Sequence, residues 1–122
     1  MGKILIAEDL KFISVELKNI LLSLGYDIFS IIEDDKSLLN IYNSDSVSNI
    51  DTIFLGLYLP LSKEFSTSVD LIKKLLSINS DIQIIVISSI TDHQLVSKAV
   101  LSGAKGYIEK PLTVEKIKKV LK

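Results

Sequence analysis

Three groups of chemically active residues follow short apolar runs in this chain, each at the point where a run ends. The acid pair Glu8-Asp9 follows the first run, Ser88 ends a later one, and Lys110-Pro111 follows the last. Carboxylates supply the oxygen ligands that Mg²⁺ prefers, while a hydroxyl and an ammonium group donate hydrogen bonds to anions. These are the residue types of a phosphoryl-transfer pocket.

The segments that must position these residues alternate between short apolar runs and patterns with helical spacing. Apolar runs predict strands over residues 3–7, 26–32, 53–57, 82–88 and 105–109. Helical spacing predicts helices between them, and their bounds are set by capping residues. The predicted helices run from about 13 to 24 before Gly25, over 36–43, over 68–78, from Thr91 or Asp92 to Gly103, and from Thr113 to the end.

This alternation predicts an α/β fold, namely a doubly wound five-stranded parallel sheet with five helices on its two faces. We expect a single domain over residues 1–122, since the length fits one domain and no linker or repeat interrupts the pattern. In such sheets, ligand sites form beyond the carboxyl ends of the strands. The acid pair, the hydroxyl and the ammonium group should therefore meet at one edge.

Composition excludes several classes of function. The chain has a net charge of −1 and no arginine, so we expect no direct binding to nucleic acid. It contains no cysteine, which rules out disulfides and thiolate metal sites. No apolar stretch approaches the roughly 20 residues of a membrane span, so we expect no membrane contact and a cytoplasmic location.

The motifs at the strand ends, taken together and in order, resemble those of response regulator receiver domains (CheY-like proteins), and the resemblance covers essentially the whole chain. The matching segments are Ile-Leu-Ile-Ala-Glu-Asp at 4–9, Ile-Phe-Leu-Gly-Leu-Tyr-Leu-Pro at 53–60, Ile-Ile-Val-Ile-Ser-Ser at 84–89, and Gly-Ala-Lys-Gly-Tyr-Ile-Glu-Lys-Pro at 103–111. The resemblance implies the flavodoxin-like fold already predicted.

The resemblance also implies roles for the residues at the strand ends. Glu8 and Asp9 match the acid pair that holds Mg²⁺, and Tyr58 matches the residue whose main-chain carbonyl completes the metal site. Lys110 matches the ammonium group that neutralises a phosphoryl oxygen, and Ser88 matches the hydroxyl that binds the phosphoryl group. For Ser88 alone, a small residue that merely ends a strand is an equally good interpretation.

Two further features follow from the resemblance. Tyr107 matches the aromatic residue that turns inward when the domain is phosphorylated, although an ordinary half-buried strand aromatic explains it as well. The bond between Lys110 and Pro111 is expected to be cis, as it is in the family.

Gly56 departs from the family, because it stands at the position of the phosphoacceptor aspartate. Glycine has no nucleophile, and Asp51 lies five residues earlier at the other end of the strand, roughly 16 Å away at ~3.3 Å per residue. With one carboxylate lost, we expect Mg²⁺ to bind weakly or not at all. The loop from Leu61 to Thr67 is a second departure, since it is longer than usual and has Glu64 where the family has glycine.

We therefore interpret the chain as a receiver domain of a two-component phosphorelay that is incompetent for phosphorylation and works as a protein-interaction module, not as an enzyme. One alternative is a true phosphoacceptor response regulator whose aspartate has been altered to Gly56. A flavodoxin-type cofactor protein is a third alternative. It is disfavoured because the acidic loop after the first strand, which begins at Glu8, lacks the glycines of a phosphate-binding loop.

We expect the partner to be a protein, namely a histidine kinase, a phosphotransfer protein, an output domain or a second copy of the chain. The expected contact surface is built by the fourth helix, the fifth strand and the fifth helix. Its predicted members are Val96, Val100, Lys105, Tyr107 and the helix from Thr113 to Lys122.

Overall fold

Five apolar segments form the sheet in the computed structural model, which describes residues 3–43, 50–89 and 91–121. Their sequences are rich in Ile, Leu and Val, as suits strands covered on both faces. The strands are β1 (Lys3–Ala7), β2 (Ile28–Ile32), β3 (Ile50–Gly56), β4 (Gln83–Ser88) and β5 (Gly106–Glu109).

The five helices are α1 (Lys11–Ser23), α2 (Asp35–Tyr42), α3 (Ser68–Ile78), α4 (His93–Leu101) and α5 (Val114–Val120). The side chains of Asp34, Thr67 and Thr113 accept hydrogen bonds from the first turns of α2, α3 and α5. Gly25 and Gly103 follow α1 and α4 with φ values of +90° and +118°, which favour glycine. Local sequence chemistry therefore accounts for the starts of α2, α3 and α5 and for the ends of α1 and α4.

The strands are all parallel and lie in the order β2-β1-β3-β4-β5. Ala7 pairs with Leu55, Gly56 with Ile87, and Ser88 with Glu109. This register brings the carboxyl ends of β1, β3, β4 and β5 to one edge beside the reversal in strand order, where open α/β sheets bind ligands.

The sheet separates two hydrophobic clusters. One packs under α2, α3 and α4 and contains Leu55, Leu71 and Val86; the other packs under α1 and α5 and contains Leu17 and Phe54, among others. Alternate residues of β3 enter opposite clusters, as the two-residue period of a strand requires. The predicted doubly wound fold is confirmed.

Some predicted bounds were wrong by one to three residues. β2 begins at Ile28 and not at residue 26, because Tyr26 still belongs to the turn after α1, where its N–H bonds the carbonyl of Leu21. β3 begins earlier than predicted, at Ile50, since its first residues pair with β1. The predicted end of α5 at Lys122 lies outside the described residues.

The long loop after β3 is fixed to the start of α2 by a buried carboxylate. Asp35 is 2% exposed, and its Oδ2 accepts hydrogen bonds from the N–H of Ser62 at 3.0 Å and from its hydroxyl at 2.6 Å. The N–H of Asp35 donates in return to the carbonyl of Pro60 at 3.2 Å. Leu61 and Phe65 pack against the cluster under α2, α3 and α4. The loop is thus held by both polar and apolar contacts.

No helix within the described part of the chain is long and apolar enough to cross a membrane.

Candidate functional site

The carboxyl edge of the sheet forms a cleft of about 330 Å³ that gathers most of the predicted site residues. Its lining includes Glu8, Asp9, Tyr58, Ser88 and Lys110. These residues lie at the ends of β1, β3, β4 and β5 or directly after them, so the convergence expected from the strand order is present.

Glu8 lies at the floor of this cleft and is only 3% exposed. Its Oε2 accepts a hydrogen bond from the N–H of Leu10 at 3.1 Å. The pKa of Glu8 is raised, chiefly because burial disfavours the charged form, and the neighbouring carboxyl group of Asp9 adds to the rise. The Leu10 N–H and the positive charge of Lys110 act in the opposite direction without cancelling it.

Gly56 ends β3 directly beside Glu8. A Cβ atom built on Gly56 would lie 2.7 Å from Oε1 of Glu8, 3.1 Å from its Cδ and 3.3 Å from its Oε2. Real Cβ atoms do not approach other atoms as closely as 2.7 Å, so the carboxyl group of Glu8 fills the space in which a side chain at residue 56 would begin. Asp51 is exposed near the amino end of β3 and is not part of the cleft.

Ser88 and Lys110 lie on the other side of the cleft. Ser88 is 2% exposed, and its hydroxyl has no hydrogen-bond partner among the described residues. The N–H of Lys110 donates to the carbonyl of Ser88 at 2.8 Å, which fixes the start of the β5–α5 loop against the end of β4. The bond between Lys110 and Pro111 is cis, as the resemblance implied.

Tyr58 crosses the mouth of the cleft and makes a contact that sequence reasoning missed. Tyr58 is 69% exposed, and its hydroxyl donates to Oδ1 of Asp92 at 2.8 Å. Oδ2 of Asp92 accepts from the N–H of Ser89 at 2.8 Å. This hydrogen bond with Asp92 is the main reason why the pKa of Tyr58 is raised.

Asp92 corrects one expectation about α4. It occupies the position before the helix, as predicted, but its side chain makes no capping hydrogen bond to the first turn. Both carboxylate oxygens are engaged elsewhere, by Tyr58 and by Ser89. Asp92 therefore links the loop after β4 to the segment after β3, across the cleft.

Tyr107 lies away from the cleft and is 50% exposed. It stands between two surface clefts of about 460 Å³ each, one against α4 and one against α5. The first contains Val96, Val100 and Leu101, and the second contains Lys119 and Val120. Tyr107 is thus part of the outer surface formed by α4, β5 and α5.

Comparisons with known proteins agree with this fold. The profile of the family described as response regulator receiver domain matches residues 4–122. The chemotaxis protein CheY of Treponema pallidum is 29% identical over an alignment of 124 positions, which covers 98% of this chain and 83% of that protein. CheY of Thermotoga maritima is 28% identical over an alignment of 127 positions, which covers 100% of both proteins.

A solved structure is similar as well. The chain superimposes with a TM-score of 0.85 on a structure of the CheX-CheY-BeF₃-Mg²⁺ complex from Borrelia burgdorferi. The two are 25% identical, and the match covers 98% of this chain and 86% of the other.

Proposed function

This chain belongs to the response regulator receiver domain family of two-component signalling, and we propose that it is a non-enzymatic member that regulates a partner protein without being phosphorylated. The observation that carries the proposal is Gly56. It ends β3 without a nucleophilic side chain, and the carboxyl group of Glu8 fills the space beside it. Transfer of a phosphoryl group to residue 56 has no acceptor atom.

The test is exposure to a small phosphodonor. The protein is incubated with acetyl phosphate and Mg²⁺, and its intact mass is measured under conditions that preserve acyl phosphates. We expect no adduct of ~80 Da. A receiver domain that has an aspartate at the matching position serves as the control and should be labelled. An adduct on this chain, at Glu8, Asp9 or any other carboxylate, would contradict the proposal.

Mg²⁺, the cation that the family implies, fits the cleft in part. Glu8 and Asp9 would supply carboxylate ligands and Tyr58 its main-chain carbonyl, with water completing the octahedron. The unpartnered hydroxyl of Ser88 marks the cleft as a place for a polar ligand. Within the described residues, however, no three acid, histidine or cysteine side chains are grouped to hold a metal. We therefore propose weak binding.

When bound, the cation would neutralise negative charge at this edge of the sheet. The residues of the chain would hold the shape and the charge of the cleft. Lys110 places an ammonium group near Glu8 and lowers the cost of keeping that carboxyl group charged. The bond between Tyr58 and Asp92 holds the loop after β4 across the mouth of the cleft. Together these contacts favour one arrangement of the cleft over others.

We further propose that the partner binds the surface formed by α4, β5 and α5. Exposed apolar groups there include Tyr107, Val100 and Leu101, the last of which is 87% exposed. Lys119 lies beside Tyr107 in the cleft against α5. Apolar anchors next to a lysine suit an acidic protein partner or a self-complementary surface of a second copy.

This second proposal has its own test. Tyr107→Ala together with Lys119→Glu should weaken binding to a partner captured from lysate, or self-association measured by sedimentation. Lys18→Glu, at an exposed site on α1, is the matched control for charge and should have no effect. Lys110→Ala should also leave binding unchanged. A loss of binding that occurs only with Lys110→Ala would place the contact at the cleft and contradict this choice of surface.

A further inference from the structure

Glu8 and Gly56 lie side by side at the carboxyl ends of neighbouring strands. Ala7 of β1 pairs with Leu55 of β3, so the next residue along each strand, Glu8 or Gly56, is the lateral neighbour of the other. Adjacent strands lie about 4.8 Å apart. A glutamate side chain spans that distance, and here its carboxyl group reaches to within 2.7 Å of the place of a Cβ on Gly56.

This carboxyl group is anchored and not merely lodged in the space. One oxygen accepts from the N–H of Leu10, and the positive charge of Lys110 lies close enough to stabilise the charged group. Buried polar groups are costly unless they are hydrogen-bonded, so these partners stabilise Glu8 where it lies. Moving the carboxyl group toward the cleft would leave the N–H of Leu10 without its acceptor.

The length of the side chain decides whether this contact can form. Aspartate is shorter than glutamate by one methylene, about 1.5 Å. At residue 8 it would keep the carboxylate beside Asp9 but would not reach across to Gly56. Glutamine has the length of glutamate without its charge. These two substitutions therefore separate the reach of residue 8 from its charge.

We propose that Glu8 acts as an internal occupant of the vacant acceptor position, and that its contact with Gly56 holds the cleft closed to divalent cations. Mg²⁺ would have to draw the carboxyl group away from Gly56 and break its bond with Leu10 before Glu8 could become a ligand. The contact is thus autoinhibitory for the metal site. This inference rests on the proposed function, since it takes the position of residue 56 as vacant.

The test is titration of the folded protein with Mg²⁺ by calorimetry, for the native chain, Glu8→Asp and Glu8→Gln. We expect Glu8→Asp to bind Mg²⁺ about fivefold more tightly than the native chain, because its shorter side chain does not reach Gly56 and need not be drawn away from it. Glu8→Gln should bind more weakly than Glu8→Asp, since it keeps the reach and loses the charge. Three outcomes would overturn the proposal. Glu8→Asp could bind Mg²⁺ no more tightly than the native chain, Glu8→Gln could bind it as tightly as Glu8→Asp, or no variant could bind it at all.

A second measurement on the native chain covers the case in which Glu8→Asp does not fold. Saturation with Mg²⁺ should shift the backbone amide resonance of Leu10 and speed its hydrogen exchange, because its acceptor has moved. A Leu10 amide that ignores Mg²⁺ would overturn the proposal. These outcomes are independent of the phosphodonor test. An adduct of ~80 Da would refute the proposed function, whereas the Leu10 response and the Glu8→Asp affinity report only on the occupant of the cleft.

Discussion

Ser62→Ala should destabilise the protein measurably, because it removes a hydrogen bond to a carboxylate that is 2% exposed. The lost bond joins the Ser62 hydroxyl to Oδ2 of Asp35 at 2.6 Å, while the bond from the Ser62 N–H remains. Hydrogen bonds to charged groups contribute about 1.5–3 kcal/mol. Since one partner is kept, we expect a loss near the lower bound, about 1.5 kcal/mol in the free energy of unfolding.

This loss translates into a change of melting temperature. Unfolding entropy of about 2.1 cal/mol/K per residue over 122 residues means that 1 kcal/mol shifts Tm by about 4 °C. Ser62→Ala should therefore melt about 6 °C lower, as followed by circular dichroism, with urea unfolding as the second measure. Ser66→Ala is the matched control, because Ser66 is an exposed serine in the same loop. It should change Tm by less than about 2 °C.

The pH dependence adds a stricter condition. Burial raises the pKa of Asp35, but the hydrogen bonds from Ser62 outweigh it, so the pKa is lowered from its ordinary value of 3.8. A folded pKa below the unfolded one stabilises the protein above about pH 4, and that stability is lost as the pH falls through the folded pKa. The gap between the native chain and Ser62→Ala should thus narrow as the pH falls below about 4. A gap that is absent at neutral pH, or unchanged in acid, would refute an ionised Asp35 as the acceptor.

Three other predictions concern single contacts. Gly56→Ala should be destabilising or neutral in the native chain, because the new Cβ displaces Glu8. In a Glu8→Ala background, the same substitution should stabilise the protein by about 0.5–1 kcal/mol. A double-mutant cycle from urea unfolding that shows no coupling would contradict the contact. Tyr58→Phe should speed hydrogen exchange at the Ser89 amide, because the Asp92 carboxylate, which accepts from this amide, loses its other partner. An unchanged exchange rate would mean that the hydroxyl of Tyr58 does not restrain the loop after β4. Tyr42→Phe should be neutral or stabilising by up to about 1 kcal/mol, because the buried hydroxyl has no partner among the described residues. Burial raises the pKa of Tyr42 to about 12, so the native chain should lose stability between about pH 10 and 12, and the variant should not show this loss. A clear loss of stability at neutral pH would reveal an unrecognised partner of the hydroxyl.

The topology and the edge of the sheet that carries the cleft could be predicted from sequence, because both depend on local patterns. Short apolar runs such as residues 84–87, rich in β-branched residues, favour covered strands, and their parallel order places the residues after each strand at one edge. Caps such as Thr67 and Thr113 are equally local signals, since a capping residue acts on the turn directly after it.

Some of the contacts that sequence reasoning missed join residues that are far apart in the chain. Another depends on the missing side chain at residue 56. Tyr58 and Asp92 are separated by 34 residues, and Asp35 and Ser62 by 27. Each pair meets through loops whose paths no periodicity encodes. The turn of Glu8 onto its neighbour could not be foreseen either, because a side chain's direction depends on the free volume around it. The lack of a side chain at residue 56 was the one available signal.

The contact between Glu8 and Gly56 also determines what an acidic side chain introduced at residue 56 would meet. An aspartate introduced at residue 56 would meet the carboxyl group of Glu8 at the place of its own Cβ, and would add a third acid beside Glu8 and Asp9. A single substitution would therefore crowd three carboxyl groups into one site, where like charges repel. Recovery of an acceptor would be easiest if residues 8 and 56 changed together, because either change alone leaves the two side chains mismatched.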